Sequence, residues 1–246
     1  MAISRLPRAG AAGAPPPGGV GAGAGVGAGG AGADGGGASP AFLFDGPAGG
    51  PTLALAHGAG AGVDSPFMAA VAAGLGERGV RVARFEFAYM RERREGGGRR
   101  GPDREPLLRL AWAAAVAALG GGPRLWIGGK SMGGRIASLV ADEVGARGLV
   151  CLGYPFRPPG AAPWAVEKRT AHLRDLRTPT LIVQGTRDPF GGRAEVEGYA
   201  LAPGIRIHWI EDGDHSLKPR KSSGRTEAQN LAEAVAAIAD FVQDGG

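Results

Sequence analysis

From Thr52 to Val242, short apolar runs alternate with helical patterns, and this alternation narrows the possible folds more than any other feature of the chain. Thr52 to Ala56, Val80 to Phe87, Leu125-Trp126-Ile127, residues 148–154, Thr180 to Gln184 and Ile205 to Ile210 read as strands. Helices are expected over 65–78, 106–119, 193–201, 227–243 and from Ser131 onward, where Ile136, Leu139, Val140 and Val144 share one face. Ser65 can cap the first helix, with Pro66 at its opening position. Thr226 and Gln229 stand at capping-box spacing before the last. Phe42-Leu43-Phe44 reads as an edge strand and Asp45-Gly46 as a turn, while the Arg/Glu/Gly run 91–105 reads as a long polar loop. Strand and helix in turn imply an α/β fold: a mostly parallel, doubly wound sheet with helices on both faces. Ligands of such sheets bind at the carboxyl ends of the strands.

One such strand end carries Gly129-Lys130-Ser131-Met132-Gly133, between the strand Leu125-Trp126-Ile127 and a helix. In a strand, G-x-S-x-G, helix arrangement, a nucleophile elbow, the serine takes a strained conformation that pushes its hydroxyl clear of the backbone. The flanking glycines are needed because a Cβ would collide with neighbouring chain. The new helix aims its free N–H groups at the same place. Gly129-Lys130-Ser131 also resembles the end of a phosphate-binding loop, but the glycine required five residues before Gly129 is Arg124.

Three more strand ends carry polar residues. His57-Gly58-Ala59-Gly60 can turn N–H groups inward, so that Ala59 and Met132 would hold an oxyanion, with His57 bonded to backbone in its own loop. Asp188 follows Thr180 to Gln184, and Pro189 biases it toward an extended conformation from which it can orient an imidazole. His215 follows Ile205 to Ile210 and can take a proton from Ser131. His172 and His208 compete with His215, and Asp212 and Asp214 compete with Asp188.

A chain of 246 residues, 43% hydrophobic, can build one sizeable core. Residues 1–40 are Ala, Gly and Pro with little to bury and are expected to be a disordered tail ahead of a domain over 41–246. They lack the apolar run of an export signal, and no stretch reaches the roughly 18 apolar residues of a membrane span, so a cytoplasmic protein that does not enter a membrane is expected. The single cysteine, Cys151, lies in an apolar run and reads as a small core residue. The +5 charge is spread among acids, without the aromatic interleaving of a nucleic-acid platform. No cluster of Cys and His suggests a metal, and no glycine fingerprint suggests a dinucleotide, so no cofactor is expected.

Taken together, His57 to Gly62, Gly129 to Arg135, Gln184 to Gly191 and Gly213-Asp214-His215-Ser216 resemble the α/β-hydrolases. Within them the chain is similar to a small branch that includes testis-expressed protein thirty, subunit three of the non-specific-lethal chromatin complex, and bacterial relatives labelled dienelactone-hydrolase-like. The resemblance implies Ser131 as nucleophile, Asp188 as acid and His215 as base. Dienelactone hydrolases use a cysteine where this chain has Ser131. The segment 155–177 is too short for a large lid, which fits an open site and a small or surface-presented ester or other acyl substrate. Lys218, Arg220, Lys221 and Arg225 could meet an anion or simply face solvent. Besides a serine hydrolase, the fold could serve as a non-catalytic interaction module. The residues leave the oligomeric state open.

Overall fold

The computed structural model describes residues 40–245 except 99, 159, 161 and 162. The tail expected over 1–40 lies, but for Pro40, outside the described residues. In chain order the elements are β1 (Phe42–Asp45), β2 (Thr52–Ala56), α1 (Pro66–Glu77), β3 (Arg81–Phe85), α2 (Ala88–Arg94), α3 (Glu105–Ala118) and β4 (Leu125–Lys130). There follow α4 (Met132–Val140), β5 (Gly148–Leu152), α5 (Pro163–Thr170), β6 (Thr180–Gly185), α6 (Arg193–Val196), β7 (Ile205–Ile210) and α7 (Glu227–Gln243).

The strands form one sheet in the order β1-β3-β2-β4-β5-β6-β7. Only β1 runs antiparallel to its neighbour, pairing Phe42 with Phe85 and Asp45 with Val82. Alternate side chains along each strand leave on opposite faces, which builds two cores. Leu53 and Leu55 of β2, Trp126 of β4 and Val150 and Leu152 of β5 pack with α1 and α7. Ala54 and Ala56, Ile127, Leu149 and Cys151 pack on the other face with Trp112 of α3 and Ile136 of α4. The central β4 is buried along its whole length, so its carboxyl end opens deep in the middle of the sheet.

Several boundaries differ from the sequence expectation, each for a local reason. Strand β3 stops at Phe85 because the Phe87 N–H leaves the ladder for Nε2 of His57, 3.1 Å away. Helix α2 takes up residues 91–94 of the loop expected over 91–105, with Tyr89 and Met90 buried beside the charged Arg91 to Arg94. Helix α6 spans one turn, Arg193–Val196, and only Val196 is buried, too little apolar face to carry it to 201. Helix α4 ends at Val140, and Val144 lies in the turn through Gly145. The strand expected over 148–154 ends at Leu152, where Gly153, at φ 63°, turns the chain. Within 155–177, α5 and a 3-10 turn at Ala171–Arg174 replace part of the irregular path. Ser65 precedes α1 but its side chain makes no capping bond, leaving Pro66 alone to set the first turn. Thr226 and Gln229 do form a reciprocal capping box on α7.

Candidate active site

Four strand ends meet at the carboxyl edge of the sheet. At the end of β4, Ser131 sits at φ 51°, a conformation few side chains adopt. The turn is compressed from all sides. A Cβ on Gly129 would lie 2.5 Å from the Ala56 carbonyl oxygen, and one on Gly133 would lie 2.5 Å from that of His57. Both contacts are with backbone, which cannot easily give way, so only glycine lets β4, α4 and the β2 loop approach this closely. The strain is stored where the Ser131 hydroxyl is presented.

Strands β6 and β7 supply the partners. Oγ of Ser131 lies 2.8 Å from Nε2 of His215, and Nδ1 of His215 lies 2.8 Å from Oδ2 of Asp188. With Nδ1 donating to the carboxylate, Nε2 is left to accept the serine proton. The Asp188 side chain has no solvent exposure, against 21% for His215. Oδ1 of Asp188 accepts the Phe190 N–H at 2.8 Å, and the Phe190 ring lies against the imidazole, 4.3 Å between centroids. The two loops are stitched together: Arg187 N–H donates to the Gly213 carbonyl, and Asp212 N–H to Oγ1 of Thr186.

The competing residues lie elsewhere. His172 bonds Oγ of Ser138 at 2.8 Å, and burial, aided by Arg135, pushes it down to about 4. His208 faces Glu233 across 3.3 Å. Asp212 pairs with Arg220 and Arg187, and the hydrogen-bonding Arg220 guanidinium holds its carboxyl below the usual range. Asp214 accepts the Ser216 and Lys218 N–H groups. Three of the four basic residues after His215 face acids: Lys218 faces Glu227, Arg220 faces Asp212 and Arg225 faces Glu233. Cys151 is fully buried, and burial raises its thiol well above the ordinary value.

His57 is buried and braced at both ring nitrogens, Nδ1 donating to the Gly58 carbonyl at 2.6 Å and Nε2 accepting from Phe87. Burial lowers its pKa, so the ring stays neutral. The Tyr89 hydroxyl lies 3.2 Å from the carbonyl oxygens of both Gly58 and Ala59, fixing the same loop. Met132 opens α4, so its N–H has no acceptor within the helix. Among the described residues no backbone carbonyl takes the N–H of Ala59 or Met132. Both residues line a recess of about 360 Å³ with Ser131, Arg135, Arg169 and Phe190. Ser131 also borders a second recess, about 330 Å³, walled by Gly58, Pro66, Phe67, Met68, Lys130 and His215. A wider hollow of about 510 Å³ between Arg157, Glu195 and Tyr199 touches none of these groups.

A family model described as an alpha/beta hydrolase domain matches residues 50–243. The chain belongs to the α/β-hydrolases. Curated carboxymethylenebutenolidases from Pseudomonas putida and Pseudomonas knackmussii are each 29% identical to this α/β-hydrolase over 100 residues. That stretch is 39% of this chain, which thus spans 39% of the length of those relatives. Among solved structures, Est1E from Butyrivibrio proteoclasticus is similar at TM-score 0.61 and 14% identity, covering 84% of this chain and 94% of that one. Dienelactone hydrolase from Anabaena variabilis follows at 0.57 and 21%, covering 83% and 89%. XC6422 from Xanthomonas campestris, an α/β serine hydrolase without a lid, gives 0.56 and 17%, covering 84% and 87%. At these identities the structural likeness is one of fold.

Two side chains at the centre of this α/β-hydrolase escape a reading of strand ends. Gln184, the fifth residue of β6, accepts the Tyr154 N–H and donates to Oδ2 of Asp188 at 2.9 Å and to the Gly191 carbonyl at 3.0 Å. Its signal is a lone amide closing an apolar strand that is buried throughout. Lys130, inside the G-x-S-x-G turn itself, donates from Nζ to the His215 carbonyl at 2.7 Å. Among the described residues no group of three His, Cys, Asp or Glu could hold a metal, and no helix is long and apolar enough to cross a membrane.

Proposed function

We propose that this α/β-hydrolase is a serine hydrolase that cleaves small carboxylic esters or related acyl bonds through an acyl-enzyme on Ser131. The observation that carries the reading is the unbroken run of hydrogen bonds from Oγ of Ser131 through His215 to the buried Asp188, both links at 2.8 Å. Ser131 Oγ attacks the substrate carbonyl carbon while its proton passes to Nε2 of His215. The carbonyl electron pair moves to oxygen, where the free N–H groups of Ala59 and Met132 receive it. Collapse breaks the bond to the leaving alcohol, which departs with the proton from His215. Water then gives a proton to His215 and attacks the acyl carbon, and Ser131 leaves with that proton, releasing the acid. Asp188 remains a carboxylate throughout and holds the ring with Nε2 toward the serine. The two recesses that Ser131 borders give the acyl and alcohol portions separate places, and their modest volumes favour small substrates. The curated relatives are named for carboxymethylenebutenolide, and the proposal covers acyl bonds as a class.

Fluorophosphonate labelling tests the reading. Wild-type protein is expected to take the probe, and Ser131→Ala to take none, with loss of turnover of short-chain esters. Equal labelling of the two proteins would remove Ser131 as nucleophile.

A further inference from the structure

We propose that Lys130 is a positioning residue for this reaction: its buried ammonium holds the His215 carbonyl and so keeps the imidazole between Ser131 and Asp188. The inference rests on Ser131 acting as the nucleophile. Lys130 is the last residue of β4 and only 9% exposed. Its Nζ donates to the His215 carbonyl at 2.7 Å, joining positions 85 residues apart. The Phe67 ring, from α1, stands 5.6 Å from Nζ. A Cβ on Gly153 would lie 3.1 Å from Nζ, 2.7 Å from the His215 carbonyl oxygen and 3.3 Å from its Nδ1. The glycine therefore leaves the space in which ammonium, carbonyl and imidazole gather.

Such a placement is costly in itself. Taking an ammonium out of water is unfavourable unless a partner compensates it, and an apolar side chain at the end of a buried strand would carry no such cost. Among the described residues no carboxylate forms an ion pair with Nζ; Asp188 and Asp214 are the acids that act on it, from farther off. Its direct partner is thus the backbone of the residue whose ring joins serine to aspartate. Other bonds hold the loop on either side of His215, at Gly213 through Arg187 and at Leu217 through Asn230, and the Lys130 bond falls on His215 itself. Strand β4 is buried along its whole length, and the tether leaves it one residue before the nucleophile. A shift of either side chain would lengthen the 2.8 Å link between Ser131 and His215.

The titratable groups facing Lys130 are Asp188 from the loop after β6 and Asp214 and His215 from the loop after β7, with Ser131 beside it. Burial pushes Lys130 down to about 8, against the opposing pull of Asp188 and then Asp214. Above that pH the amine still donates, but as a neutral group its hydrogen bond is roughly half as strong.

The test compares wild type, Lys130→Met and Lys130→Arg by kcat and KM on p-nitrophenyl acetate from pH 6 to 9, by fluorophosphonate labelling and by thermal melting. Lys130→Met is expected to lose about 10- to 100-fold in kcat, the scale of a slight misplacement of reacting groups, with KM little changed and the protein folded. Lys130→Arg is expected to restore most of kcat and to abolish the wild-type decline near pH 8. Wild-type kcat in Lys130→Met at every pH would overturn the proposal, as would a loss that only follows the unfolded fraction. Should the arginine variant not fold, Lys130→Met beside wild type decides: a labelling rate per folded molecule equal to that of wild type overturns the proposal. Labelling of Ser131→Ala would sink the serine reading and this one together. An unlabelled Ser131→Ala beside an unaffected Lys130→Met would sink this one alone.

Discussion

Asp188 has both carboxylate oxygens engaged, Oδ1 by the Phe190 N–H and Oδ2 by Gln184 and His215. Every partner is a donor, so the site accepts a carboxylate and rejects an amide. Asp188→Asn would set an N–H₂ against one of these donors and remove the negative charge that orients the imidazole and stabilises its protonated form. On the proposed mechanism kcat for short-chain esters is expected to fall on the order of 10⁴-fold, as steady-state kinetics at saturating substrate will read. The same crowding explains what could be seen in the sequence. Ser131, Asp188 and His215 each follow a strand in an α/β pattern, and the fold brings the three within hydrogen-bond distance. Gln184 and Lys130 belong to strands themselves, where a polar residue reads as an interruption of the pattern. Their partners are a side chain four residues on and a carbonyl 85 residues on. Neither pairing leaves a periodic mark.

The strands were the more legible elements because each interior strand is bounded by turns and buried on both faces, which leaves its apolar run unbroken. The helices were legible where burial is broad. Helix α7, with Ala234, Val235, Ile238, Ala239 and Val242 buried, follows its expected span. Helix α2 leaves little trace in the sequence because only two buried residues, Tyr89 and Met90, stand against a run of charges, and α6 is shorter than its expected span because one buried valine cannot sustain two turns. The capping box shows how local chemistry fixes a boundary. Gln229 N–H donates to Oγ1 of Thr226 at 3.2 Å, while Oε1 of Gln229 accepts the Thr226 N–H at 2.8 Å. Thr226→Ala leaves orphan N–H groups at an exposed helix end and is expected to cost about 1 kcal/mol of stability in urea unfolding. Ester turnover should not change, because Thr226 lines neither recess beside Ser131.

At the level of the described domain, two histidines held neutral by burial couple stability to pH. Burial pushes His172 down from 6.5 to about 4, and burial lowers His57 as well. As pH falls below 6.5 the unfolded chain takes up protons that the folded one refuses, so stability is lost progressively down to about 4. The share contributed by these two rings is complete above 6.5. Urea titrations at pH 7 and pH 4.5 should differ in this direction, and His172→Gln should reduce the difference by roughly 1–2 kcal/mol after allowance for partial solvent screening. An unchanged slope in His172→Gln would place the acid sensitivity elsewhere.

Ser131 borders two hollows that have no other lining residue in common. On the proposed chemistry, an ester seated at Ser131 can lodge one portion in each hollow, and the fragment that departs first empties its own chamber while the other stays fastened. Water can then come in by the vacated chamber.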